Sequence, residues 1–180
     1  NNISVIKIKN SNIIRKISFD NYSSFYLLNE RDGLDWYSKS FENSPNFIKD
    51  FSMGKNITKI DLNFIKGRTI NYISPLRKTY LYINKSIDHY LIKWPNSKYA
   101  PIHGDLTLSN IIFYNENPIF IDWEHFSIDN YLWGFDVAYL LLSSIILPDR
   151  NKYNFHDKDI KLFSELWQKI INKGLDKELS

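Results

Sequence analysis

The chain has 180 residues, 43% hydrophobic and 24% charged, with a net charge of +3 and no cysteine. That is the composition of a globular chain able to bury a core in one compact domain or two small lobes, and it excludes a disordered chain, a disulfide scaffold and a Cys-based metal site. The small charge, with no Lys/Arg run, argues against a nucleic-acid groove but leaves room for a local phosphate pocket.

In chain order, Ile3 to Ile8 and Ile13 to Ile17 are β-rich runs joined by the polar turn Lys9-Asn10-Ser11-Asn12, and they read as a hairpin. Leu27, Glu30, Leu34, Tyr37 and Phe41 recur at helical spacing. Glu30 therefore shares the apolar stripe, a costly place for a carboxylate unless a cation meets it. Gly33 weakens this helix by about 1 kcal/mol. Ile57 to Ile65 reads as a strand that stops at Lys66-Gly67-Arg68.

Ser74-Pro75 opens the next helix, with Ser as N-cap and Pro at the first helical position. Its stripe is Leu76, Tyr80, Ile83, Ile87, Tyr90, Leu91 and Trp94, and Pro95 stops it. His89 beside the stripe reads as structural. Trp94-Pro95-Asn96-Ser97 forms the loop into the next strand.

The richest stretch follows. His103-Gly104-Asp105-Leu106-Thr107-Leu108-Ser109-Asn110 reads H-x-D-L-x-x-x-N. Next come the strand Ile111-Ile112-Phe113, a turn at Asn115-Glu116-Asn117-Pro118, and a second strand closed by Asp122. Kinase catalytic loops have this layout. Phosphoryl transfer asks the protein chiefly for positioning and charge neutralisation. Asp105 would orient an attacking hydroxyl and accept its proton, while Asn110 and Asp122 would offer hard oxygens to Mg²⁺.

Trp123 to Trp133 then reads as a loop, followed by an apolar helix from about Gly134 to Leu147 with Asp136 in its first turn. That apolar run is interrupted by Ser143-Ser144 and falls short of the roughly 20 residues of a membrane span. Ile160, Phe163, Trp167, Ile170 and Ile171 mark a last amphipathic helix, ended by Gly174.

HGDLTLSNII and FIDWE together resemble the aminoglycoside phosphotransferase and choline/ethanolamine kinase superfamily, small-molecule relatives of the protein kinases. The stretch Asn130 to Ala138 is similar to the N-Y then F-D pattern on the choline-kinase side. The resemblance is specific from Ile102 to Leu142. It implies an α+β, protein-kinase-like two-lobed fold, with a small, truncated β-rich N-lobe and hinge over residues 1–73 and a mainly helical C-lobe over 74–180. It also implies ATP and Mg²⁺ as cofactors. Lys16, with Arg15 as its competitor, would be the lysine that reaches the phosphates, and Glu30 would pair with it. His103 would shape the catalytic loop around Asp105, Asp136 would hold that loop by its backbone, and the end of the Ile57–Ile65 strand would offer backbone groups to adenine.

The chain departs from the family at three places. No glycine precedes Gly33, so the glycine-rich phosphate loop is missing before Lys16. The alternatives are that this loop lies upstream of Asn1, that the lobe is reduced, or that the chain is a degenerate relative. His125 stands where choline kinases carry Tyr, and Gly104 where they carry Asn, so the two halves of the signature point to different acceptors. Trp123 and Glu124 would face an amino alcohol or aminoglycoside amine, or Glu124 would instead steady the metal-binding loop.

The expected activity is ATP-dependent phosphoryl transfer to a hydroxyl of a small polar metabolite, in a cytoplasmic enzyme without nucleic-acid or membrane partners. A nucleotide-binding pseudokinase or scaffold is the alternative. A protein kinase fits less well, because no A-P-E-type segment follows Asp122 and the 123–136 loop is short.

Overall fold

The computed structural model of the chain describes residues 2–9, 11–41, 44–95, 97–150 and 156–178, with the side chains of 129, 130, 149, 150 and 175–178 left aside. Asn10 and Asn96 of the expected turns lie outside the described residues. The fold is mixed, a small antiparallel sheet region with four helices. By backbone contacts it divides into two units, Asn1–Lys66 with Asp122–Ser127, and Gly67–Ile121 with Ile128–Ser180.

The first unit is a four-stranded antiparallel sheet carrying one helix. Strands β1 (Ile3–Lys7), β2 (Ile13–Ser18), β3 (Ile48–Met53) and β4 (Thr58–Asn63) stand in the order β1-β2-β4-β3. Alternation along β2 sends Lys16 and Ser18 to the buried face and leaves Arg15 to pair across the ladder with Asp61. Arg15 donates to both carboxylate oxygens of Asp61 at 2.7 Å. Helix α1 (Asn21–Ser40) starts at Asp20, whose Oδ1 accepts the Ser23 N–H at 2.7 Å. It buries Leu27, Glu30, Leu34 and Tyr37 of the stripe that the spacing predicts, and Gly33 besides, while Phe41 of that stripe is its buried C-cap. Strand β3 has no clean alternation to announce it, because the register shifts between Ile48 and Asp50.

In the second unit, β5 (Tyr99–Ile102) pairs with β8 (Ser127–Leu132), and β6 (Ile111–Tyr114) with β7 (Asn117–Phe120). β8 falls inside the expected 123–133 loop: its Asp129-Asn130 dipeptide reads as a turn in sequence but lies within the strand. The β6–β7 turn is tighter than expected. Asn115 and Glu116 both have positive φ (48° and 64°), which closes a two-residue hairpin and leaves Asn117 and Pro118 in the strand.

Helices α2 (Leu76–Lys93), α3 (Phe135–Arg150) and α4 (Asp157–Glu178) pack against one another, and α2 also packs on β7. Two expected boundaries are corrected. Pro75, not Ser74, is the N-cap of α2 and has no capping side chain. The missing acceptor comes from α4: the buried Asp159 accepts the Arg77 N–H at 2.8 Å and pairs with the Arg77 guanidinium. Gly174 lies inside α4 rather than ending it, against the Trp133 ring.

The expected α4 stripe is displaced as well. Leu166 and Ile170 are buried, whereas Ile160 and Ile171 are exposed. His89 is structural as expected. It meets the Phe120 ring edge-on at 5.2 Å, and burial, helped by Lys93, pulls it down to about 4, so it stays neutral. Among the described residues no helix is long and apolar enough to cross a membrane.

Candidate active site

The 103–110 loop belongs to the second unit and is wired to its own backbone. Asp136, in the first turn of α3, accepts the N–H groups of His103 at 2.9 Å and Gly104 at 3.0 Å. It is fully buried, and burial pushes it up to about 6 against the pull of those two donors. Gly104 adopts a φ of +85°. Gly and Asn are the residues that tolerate this left-handed conformation, so the Gly/Asn choice here reports backbone geometry rather than the acceptor.

His103 is fully buried with both ring nitrogens engaged. Its Nδ1 accepts the Asp105 N–H at 3.4 Å, which leaves Nε2 to donate to the Ile121 carbonyl at 2.8 Å. It ties the backbone of the 103–110 loop to that of Ile121. The Asn110 amide donates to the Asp105 carbonyl at 2.8 Å and to Asp105 Oδ2 at 3.2 Å. The Asn110 side-chain oxygen in turn accepts from the Ser109 hydroxyl at 3.4 Å. Asp105 is part-buried in a loop fixed at both ends.

Ile121 carries this order onward. Its N–H donates to the Asn110 carbonyl at 3.0 Å, while its carbonyl takes the His103 proton. Asp122 follows directly and has φ +66°, a conformation that costs an L-residue of order 1 kcal/mol or more and concentrates at functional sites.

Asp122 belongs to the first unit, where it meets the lysine cluster. Lys16 Nζ lies 2.8 Å from Glu30 Oε2, 2.6 Å from Asp122 Oδ1 and 3.0 Å from Glu124 Oε1. The expected Lys16–Glu30 contact is thus present, and Arg15 is occupied by Asp61. Burial works against the Lys16 charge, but three carboxylates outweigh it and hold its pKa above the ordinary value. Glu30 has only this one cation, and burial lifts it to about 7. Burial thus readies Glu30 for a proton, while Lys16 stays charged.

The two expected substrate contacts fare differently. Trp123 is fully buried, its ring centroid 5.2 Å from Tyr37, 5.8 Å from Phe126 and 5.9 Å from Trp36. It is core, and the expectation that it faces an acceptor is corrected. Glu124 is engaged by Lys16, and its backbone carbonyl accepts from Asn29 Nδ2 at 3.1 Å, which fits the loop-steadying alternative. Asn29 was not foreseen; beside Glu30 in sequence, it carries no periodic signal. Arg68, at the expected adenine-facing hinge, has both backbone groups paired with Phe113 at 2.9 Å.

The donors suit a hard divalent cation. Carboxylate oxygens of Glu30, Asp122 and Glu124 lie within 4.8 Å of one another, around a positive charge already.

The phosphotransferase enzyme family (APH) model matches residues 63–158, more than half of the chain, and the chain belongs to that family. A comparison with curated proteins gives no match.

Proposed function

We propose that the protein transfers the γ-phosphoryl group of ATP to a hydroxyl of a small polar metabolite, of amino alcohol, aminoglycoside or sugar type. Family membership supports the reaction class. The observation that carries the reading is the hold on Asp105, whose carboxylate and carbonyl share the Asn110 amide in a loop tied to Asp136. A base so constrained needs little reorganisation as it takes a proton.

In this reading the acceptor oxygen bonds to the γ-phosphorus while the bond to the β–γ bridging oxygen breaks. ADP leaves with that electron pair, and the hydroxyl proton passes to Asp105. Mg²⁺, taken by Asn110 and Asp122, would neutralise phosphate charge. Lys16, braced by Glu30, would reach the phosphates. Asp136 and His103 keep the loop in shape.

ADP release from Mg-ATP, measured across choline, ethanolamine, aminoglycosides, simple sugars and homoserine, tests the proposal. Acceptor-dependent release supports it and names the substrate class. Nucleotide binding without release under any acceptor would favour the pseudokinase alternative.

A further inference from the structure

We propose that Lys16 and the divalent cation compete for the same carboxylate oxygens, so that metal alone binds weakly and the site opens to it when a phosphate draws the ammonium off Asp122 and Glu124. The inference rests on the reading of Asp122 as a metal ligand and adds an order of events to it.

Three carboxylates with oxygens within 4.8 Å repel one another unless a cation sits among them. Lys16 Nζ supplies it, at 2.6–3.0 Å from one oxygen of each. Mg²⁺ binds oxygen at about 2.0–2.1 Å, so a metal bridging Asp122 and Glu124 needs the space that the ammonium fills. Two cations so close would also repel, and the larger charge prevails only if Lys16 has somewhere else to go.

Burial shows which contacts can break. The Glu30 side chain is 1% exposed, and leaving it without a cation inside the unit is costly, so Lys16 stays on Glu30. Asp122 and Glu124 are 42% and 18% exposed, so leaving them without the ammonium costs less than leaving Glu30 without it. A phosphate gives Lys16 a replacement anion on the open side. Glu30 is therefore the fixed pivot, and the other two carboxylates are the exchangeable partners.

The test measures Mn²⁺ binding by electron paramagnetic resonance with no nucleotide added. It compares the wild type, Lys16→Arg, and the double variant Lys16→Met with Glu30→Gln, which removes the buried pair together and orphans neither charge. The double variant should bind Mn²⁺ about ten- to a hundredfold more tightly than wild type. Lys16→Arg should stay weak, and adding Asp122→Asn to the double variant should abolish the gain. Equal affinity in wild type and double variant overturns the proposal, as does a gain that survives Asp122→Asn.

A titration of the wild-type protein decides the matter if the double variant does not fold. The Lys16 ¹⁵Nζ resonance should shift as Mg²⁺ saturates the protein, and a resonance that stays in place overturns the competition. Neither readout uses turnover. An inactive protein that shows the Mn²⁺ gain would sink the kinase reading and keep this one; an active protein without the gain would do the reverse.

Discussion

A methyl group at Gly33 would stand 2.8 Å from Trp123 Cβ, closer than side-chain carbons approach. Gly33 sits inside α1, where glycine costs helix stability, and the packing explains its presence. Trp123 and Phe126 lie directly on the helix backbone there, and their segment carries Asp122 and Glu124.

Gly33→Ala should therefore destabilise the protein by about 1–3 kcal/mol even though alanine is the better helix former. Urea denaturation measures this. The indole fluorescence of the variant should also change, since Trp123 must move. A neutral or stabilising Gly33→Ala would mean that the loop carrying Asp122 is not held by this contact.

Asp136→Asn keeps one acceptor and turns an N–H₂ toward a backbone donor. Either the His103 or the Gly104 N–H then loses its partner, at about 1–3 kcal/mol. Gly104, held at φ +85°, should be freed, and the loop bearing Asp105 should loosen. Amide hydrogen exchange at 103–105 should rise by more than ten-fold, in line with a loss of about 1.4 kcal/mol or more. Unchanged protection would show that Asp136 is only a first-turn acid of α3.

The pH dependence of stability has a definite sign. Burial raises Glu30 from 4.5 to about 7, so the folded protein holds that proton more tightly than the unfolded chain. The stabilisation is complete below 4.5 and is lost as the pH climbs through about 7. Asp136 acts the same way between 3.8 and about 6. Asp61, held low by Arg15, and Asp159, where the bonds to Arg77 and to the His156 N–H outweigh burial, act oppositely as the pH falls below 3.8. His89, lowered by burial from 6.5 to about 4, adds stability as the pH rises between those values and offsets part of the Glu30 and Asp136 loss.

The unfolding free energy should therefore fall between about pH 5 and pH 7.5, by an amount on the order of 1–3 kcal/mol net of His89, and the melting temperature should fall with it. Glu30→Gln should flatten the slope. A melting temperature that rises over this interval in the wild type would contradict the dominance of burial over the Lys16 pairing at Glu30.

The sequence made legible what depends on local periodicity and on one compact motif. The α1 stripe placed Glu30 on the buried face, and alternation in β2 allowed only one of Arg15 and Lys16 to join it. What the sequence hid came from distant partners. Trp123 next to Asp122 looked available to a substrate until α1 was seen to leave a glycine-sized opening for it. Asp159 gives no sign, 82 residues from Arg77, that it caps another helix. Strand β8 was masked by turn-forming residues, and β3 by a bulge that breaks alternation.

The most direct test of the account is turnover by Asp105→Asn beside the wild type, with the hydroxyl acceptor that supports ADP release and with nucleotide affinity measured separately. Asparagine preserves the shape and the bond to Asn110 but removes the base. The account predicts a loss of about 10²-fold or more in kcat with nucleotide binding and melting temperature little changed. Turnover close to wild type would remove Asp105 from the chemistry and, with it, the assignment of the 103–110 loop as catalytic.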